Sequence, residues 1–146
     1  MNPCVVDASV VAAAFFQEDH AAAARALLVA GGELHAPDLV MAEVANVIWK
    51  RYGRREINEA EARQLLADCL RLPLRISPSG GLVEPALELA LRTKRTVYDC
   101  LYLALAVKTK AVLVSADKRF VNALAGGPFE KHIAWLGSLP AGAVRA

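Results

Sequence analysis

Short, unbroken apolar runs alternate along the chain with longer stretches in which apolar residues recur every three or four positions. Cys4-Val5-Val6 reads as a first strand, and residues 8–16 begin a helix directly after it. An Ala-rich helix over residues 20–30 ends at Gly31-Gly32, and residues 33–37 form a short strand closed by Pro37. Val40, Val44, Val47 and Ile48 make a helical stripe running to Gly53. A further helix opens at Asn58, with Glu61 at the spacing of a capping pair. Residues 74–78 predict a strand, residues 82–94 and 97–110 two helices, and residues 111–116 a clear buried strand. A short helix with a glycine stop over 117–127 and a last strand over 132–137 complete the pattern.

Strands that are apolar throughout, regularly alternating with helices, specify a parallel sheet covered on both faces. The expected fold class is therefore α/β, a three-layer α/β/α sandwich around a mostly parallel sheet of about five short strands. No repeat or linker divides the chain, and the Ser77–Gly81 stretch is too short to do so. One domain over residues 1–137 is expected, with residues 138–146 a loose tail.

Asp7 breaks this pattern. It stands between an apolar strand and an almost wholly apolar helix start, where a carboxylate is costly to desolvate. Three other acids occupy comparable junctions. Asp117 follows the strand at 111–115 with only Ala116 between them, and Asp99 lies in the first turn of an otherwise apolar helix. Glu43 lies about one turn into the helix that follows the strand ending at Pro37. In an open parallel sheet, ligands bind beyond the carboxyl ends of the strands. All four acids can project there, each from a different element.

Four crowded carboxylates repel one another, and some would protonate unless a cation intervened. Mg²⁺ or Mn²⁺ suits oxygen ligands, keeps several waters and binds through one or two carboxylates plus substrate phosphate oxygens. Such an ion acidifies a bound water, and a second ion about 3.5–4 Å away can hold the leaving oxygen. The chemistry indicated is phosphodiester hydrolysis assisted by one or two ions. Asn46 and Lys50 share the helical face of Glu43. Ser9 and Ser115, each two residues from an acid, can orient ligands or metal-bound water.

The motifs VVDASV, PDLVMAEVANVIWK, YDCLYLALA and VLVSADKRF resemble the four acidic motifs of PIN-domain ribonucleases, nearest to VapC-type toxins of toxin–antitoxin pairs. The resemblance runs from Asp7 to Asp117 and so spans nearly the whole chain. It implies a PIN-like α/β/α domain with Asp7, Glu43, Asp99 and Asp117 as the catalytic acids. Of these, Asp7, Asp99 and Asp117 would be metal ligands, and Ser9, Asn46 and Ser115 match frequent family choices. It further implies Mg²⁺ or Mn²⁺ as cofactor, an RNA substrate, a VapB-like protein antitoxin and a homodimer.

The composition changes this picture little. With 17 Lys and Arg against 15 Asp and Glu, the 146-residue chain carries +2, mildly basic and compatible with a nucleic-acid partner. Basic clusters at Lys50, Arg51, Arg54 and Arg55, and at Arg92, Lys94 and Arg95, can form an RNA-backbone track or simply complement helix C-termini. Trp49 and Tyr52 can stack on a base, pack in the core or meet a subunit. Cys4, Cys69 and Cys100 form no CxxC and read as reduced core thiols of a cytoplasmic protein. No leader pattern or membrane-length apolar run is expected. Asp7 and Asp117 also suit helix N-caps, and the Ala-rich helix suits either core packing or a docking surface. Two other classes stay open: a receiver-like phosphoacceptor and a catalytically silent interaction module.

Overall fold

The strand that ends at Asp7 lies at the centre of the sheet. A computed structural model of the chain describes residues 3–30 and 32–139. The strands are β1 (Cys4–Val6), β2 (Leu34–Pro37), β3 (Leu74–Ser77), β4 (Val112–Ser115) and β5 (Ile133–Trp135). They form one parallel sheet in the order β3-β2-β1-β4-β5. From β1 the chain builds outward to β3, then crosses back to place β4 on the other side of β1. Parallel neighbours need long crossovers, and helices supply them. α1 (Ala8–Phe15) and α2 (Ala21–Val29) join β1 to β2, while α3 (Leu39–Gly53) and α4 (Glu59–Leu70) join β2 to β3. α5 (Val83–Thr93) and α6 (Val97–Thr109) lead to β4, and α7 (Lys118–Leu124) leads to β5.

Successive residues of the central strands face opposite sides of the sheet. Val5 and Leu113 pack with Val40 and Val44 of α3 and Leu103 of α6, whereas Val6 and Val114 pack with Val10 of α1 and Leu27 of α2. Burial on both faces is why these strands are apolar throughout. Within α6, every residue from Cys100 to Ala106 is buried, so an acid at its start is conspicuous. The Ala-rich helix, α2, resolves in favour of core packing. It buries Ala23, Ala24, Leu27 and Leu28, and small residues on that face let it lie close against α1.

Local signals act where the sequence puts them. Asn58 accepts from the Glu61 amide at 2.8 Å, and Glu61 accepts from the Asn58 amide at 3.0 Å, completing the capping box of α4. Gly126, just beyond α7, takes φ +75°, the left-handed conformation that glycine accommodates without strain. Leu136–Ser138 forms a final 3₁₀ turn, and Leu139 packs against the core beside α2. Residues 140–146 of the expected tail lie outside the described residues. Among the described residues no helix is long and apolar enough to cross a membrane.

Candidate active site

The sheet reverses its order of growth at β1 and β4, and crevices form beyond the carboxyl ends of strands at such a switch point. Asp7 leaves β1 there and caps α1. Its Oδ1 accepts from the Ser9 amide at 3.1 Å, the Val10 amide at 3.3 Å and the Ser9 hydroxyl. The side chain is buried, and burial raises its pKa to about 6. The hydroxyls of Ser115 and Ser9 and the Val10 amide oppose that shift, while the charge of Asp99 adds to it.

Two serines join the ends of β1 and β4. Ser9 Oγ accepts from the Ala116 amide at 2.9 Å and lies 3.5 Å from Ser115 Oγ. Fully buried Ser115 accepts from the Asp117 amide at 3.1 Å, and Asp117 in turn caps α7 through the Arg119 amide at 3.0 Å. Capping is thus real for Asp7 and Asp117, and it orients the same carboxylates that line the cleft. Asp99 sits in the first turn of α6, where Thr96 Oγ1 accepts from its amide at 3.1 Å. Burial raises the Asp99 pKa, Arg95 lowers it, and Asp117 raises it further.

Glu43 reaches the cleft from α3. The hydroxyl of Tyr102 donates to its Oε1 at 2.6 Å. Burial raises the Glu43 pKa, the Tyr102 hydrogen bond lowers it, and Asp99 raises it. Burial, followed by the hydrogen bond to Glu43 and the charges of Glu43 and Asp7, pushes the Tyr102 phenol well above its usual range. Tyr102 therefore serves as a permanent donor.

Together these groups line a cleft of about 570 Å³ that contains all four predicted acids, Ser9, Asn46 and Lys50. Ser115 stays beneath it, behind Ser9. Among the described residues no three His, Cys, Asp or Glu side chains converge into a ready-made metal ligand set. The donors fit a hydrated hard cation instead, since Mg²⁺ and Mn²⁺ are held by one or two carboxylates with waters and phosphate oxygens completing the shell. A closed cage made wholly of protein ligands does not fit.

The basic residues disperse. Arg51 pairs with Glu18 and with Glu56 at 2.9 Å and lies 4.7 Å over the Phe16 ring, tied to the body of the protein. Arg54 and Arg55 are exposed just past α3, with Arg55 on a separate cleft near Asn58 and Glu61. Arg92 pairs loosely with Glu88 along α5, and Lys94 caps that helix in the left-handed conformation. Arg95 enters the acidic cleft, with Nη2 2.9 Å from Asp99 Oδ2 and 3.7 Å from Asp117 Oδ2. Trp49 and Tyr52 are exposed rather than core, lining a small apolar groove with Ala62 and Leu66 of α4.

Tyr102, Thr96 and the exposed Tyr98 are side chains of the cleft absent from the expected set. Thr96 carried a signal, a Thr three residues before an acid at a helix start. Tyr102 carried a weaker one, its position three residues after Asp99 on the same helical face.

Comparison with known proteins agrees with this geometry. The sequence profile of the family described as PIN domain matches residues 4–124. Ribonuclease VapC3 of Pyrobaculum aerophilum is 35% identical over 120 residues, covering 81% of this chain and 92% of that protein. Ribonuclease VapC9 of Mycobacterium tuberculosis is 35% identical over 115 residues, covering 79% and 86%. Among solved structures, PAE2754 from Pyrobaculum aerophilum superposes with a TM-score of 0.67 at 23% identity, covering 94% of this chain and 86% of that one. Mycobacterium tuberculosis VapC20 superposes with a TM-score of 0.62 at 21% identity, covering 82% and 94%. These two structures share the fold.

Proposed function

The chain belongs to the PIN-domain family, alongside the VapC ribonucleases, and from that premise we propose that it is a divalent-metal-dependent endoribonuclease that hydrolyses RNA phosphodiester bonds. The observation that carries this reading is the meeting of Asp7, Glu43, Asp99 and Asp117, from four separate elements, in one cleft at the sheet's switch point. A receiver-like module is disfavoured, since that fold has the strand order 2-1-3-4-5 rather than the 3-2-1-4-5 found here.

Asp7, Asp99 and Asp117 are the carboxylates that would hold Mg²⁺ or Mn²⁺, as one or two ions. When bound, the cation lowers the pKa of attacking water and stabilises charge developing on the phosphate. Asp7 is held rigidly by the first turn of α1, so its remaining oxygen, Oδ2, is presented in a fixed direction. Glu43 is the general base. Tyr102 occupies its Oε1, leaving Oε2 to take the proton, and its raised pKa improves the match to that task. Ser9 and Ser115 hold Asp7 and Asp117 in a common frame. Asn46 and Lys50 lie on the exposed side of α3 at the cleft, where Lys50 can meet a phosphate.

The relatives' names carry the biological reading. The chain acts as the toxin of a toxin–antitoxin pair in the cytoplasm, cutting RNA so that growth or translation stops. Its VapB-like antitoxin inhibits by covering the cleft with a basic side chain among the acids. The test is cleavage of a mixed RNA pool by wild type, Asp7→Asn and Asp99→Asn, with Mn²⁺, with Mg²⁺ and with chelator. Metal-dependent cutting that falls at least about 100-fold in both variants is expected. Undiminished cutting by both would overturn the reading.

A further inference from the structure

Arg95 pairs with two acids of the cleft, Asp99 and Asp117, and takes no step in the proposed reaction. Its backbone is fixed at the junction of two helices, between the left-handed Lys94 that ends α5 and the Thr96 that caps α6. Its amide donates to Thr93 Oγ1 at 3.3 Å. Its guanidinium lies 5.0 Å over the ring of Phe120, a buried residue of α7. Held this way, Nη2 donates to Asp99 Oδ2 at 2.9 Å and lies 3.7 Å from Asp117 Oδ2. Nε is buried without a hydrogen-bond partner among the described residues. A solvated surface arginine has no reason to leave a donor unsatisfied, because each buried donor without a partner carries a desolvation penalty.

Asp99 and Asp117 extend from different helices, and without an intervening positive charge they repel. A guanidinium stays protonated at every physiological pH, so its compensation is constant. Asp99 and Asp117 are also two of the acids that would hold a divalent cation. Arginine and metal would therefore compete for the same two carboxylates.

We propose that Arg95 is an internal counter-cation: it holds Asp99 and Asp117 together when no metal is bound and must withdraw from their Oδ2 atoms for a divalent ion to bind. It is a positioning residue whose competition sets how tightly the cleft takes metal. The interaction is reciprocal, since a bound ion weakens the arginine contact by the same factor as the contact weakens metal binding. The proposal rests on the reading of the cleft as a Mg²⁺ or Mn²⁺ site.

The experiment is Mn²⁺ titration by calorimetry of wild type, Arg95→Met and Arg95→Gln without RNA, paired with thermal unfolding in chelator and in saturating Mn²⁺. Met preserves the packing on Phe120 without the charge, and Gln serves if Met does not fold. The neutral variants are expected to bind Mn²⁺ about tenfold more tightly than wild type. They are also expected to melt lower than wild type in chelator, with the deficit largely removed by saturating Mn²⁺. Equal or weaker Mn²⁺ binding by the neutral variants would overturn the proposal, as would a melting deficit that Mn²⁺ leaves unchanged, which is the mark of a purely structural arginine. If wild type binds no Mn²⁺ while the variants do, the proposal stands and the metal requirement of the native cleft is what fails. Binding by none of the three overturns both.

Discussion

Asp7 is held in place by the features that make it costly. The first turn of α1 offers its carboxylate two amides and the Ser9 hydroxyl, yet burial still raises its pKa to about 6 from an ordinary value near 3.8. A carboxyl whose folded-state pKa is raised favours the fold most when protonated. That stability is fully present below about pH 4 and is lost as the pH rises to about 6. The size of the shift corresponds to about 3 kcal/mol by the top of that window. In chelator, Asp7→Asn should therefore match wild type near pH 4 and exceed its stability near pH 7.5, whereas in Mn²⁺ it should lose RNA cleavage. Urea unfolding of both proteins across that range checks this, and a pH-independent difference would contradict it. Asp7, Asp99 and Asp117 were legible in the sequence because each stands at the boundary of an apolar element, whereas Glu43, a turn inside α3, was legible only through the motif around it. Tyr102 was not, because a tyrosine in an apolar helix reads as core, and at 2% exposure it is core. Only its hydroxyl belongs to the site. Arg95 was hidden by its neighbours: beside Arg92 and Lys94 it reads as one more basic residue, although the turn between α5 and α6 sends it the opposite way.

Helix caps separate structural from functional roles among the elements. Asn58 caps α4 far from the cleft, and Thr96 caps α6 directly beneath Asp99. Removing either side-chain acceptor should cost about 1 kcal/mol of stability. Asn58→Ala is expected to leave RNA cleavage within about twofold, whereas Thr96→Ala should lower it about tenfold or more by freeing the turn that aims Asp99. Urea unfolding and cleavage rates on the same two variants test the contrast. Equal loss of activity in both would show that stability, not aim, is responsible. The strands and helices were legible because two-sided burial and helical stripes are local signals. The strand order was not, because pairing of β1 with β4 depends on contacts between distant segments that no local pattern encodes. The exposure of Trp49 and Tyr52 was equally hidden, since an aromatic on a helical stripe gives no sign of whether another element covers it.

For the molecule as a whole, a net charge of +2 conceals an uneven distribution. Four acids are concentrated in the cleft, Arg95 pairs with two of them, Lys50 stands at its side, and Arg55 and Arg92 lie on separate surfaces. If RNA crosses the cleft, Lys50 should contribute to its salt-sensitive binding and Arg92, on a different groove beside Glu88, should not. Measured on the inactive Asp7→Asn background, Lys50→Ala is expected to reduce the slope of log affinity against log salt by about one, and Arg92→Ala to leave it unchanged. A slope insensitive to Lys50 would route the RNA elsewhere.

The central position of β1 also sets when the cleft can exist. β1 pairs on one side with β2, soon after it in sequence, and on the other with β4, which is made only after α6. Asp7 and Asp117 cannot share a frame until that late strand arrives, so the cost of closing the long intervening segment falls near the end of folding. On the ribosome Asp7 is made long before Asp117. The order of strands in the sheet thus keeps the four acids from meeting in any nascent chain that has not yet delivered β4.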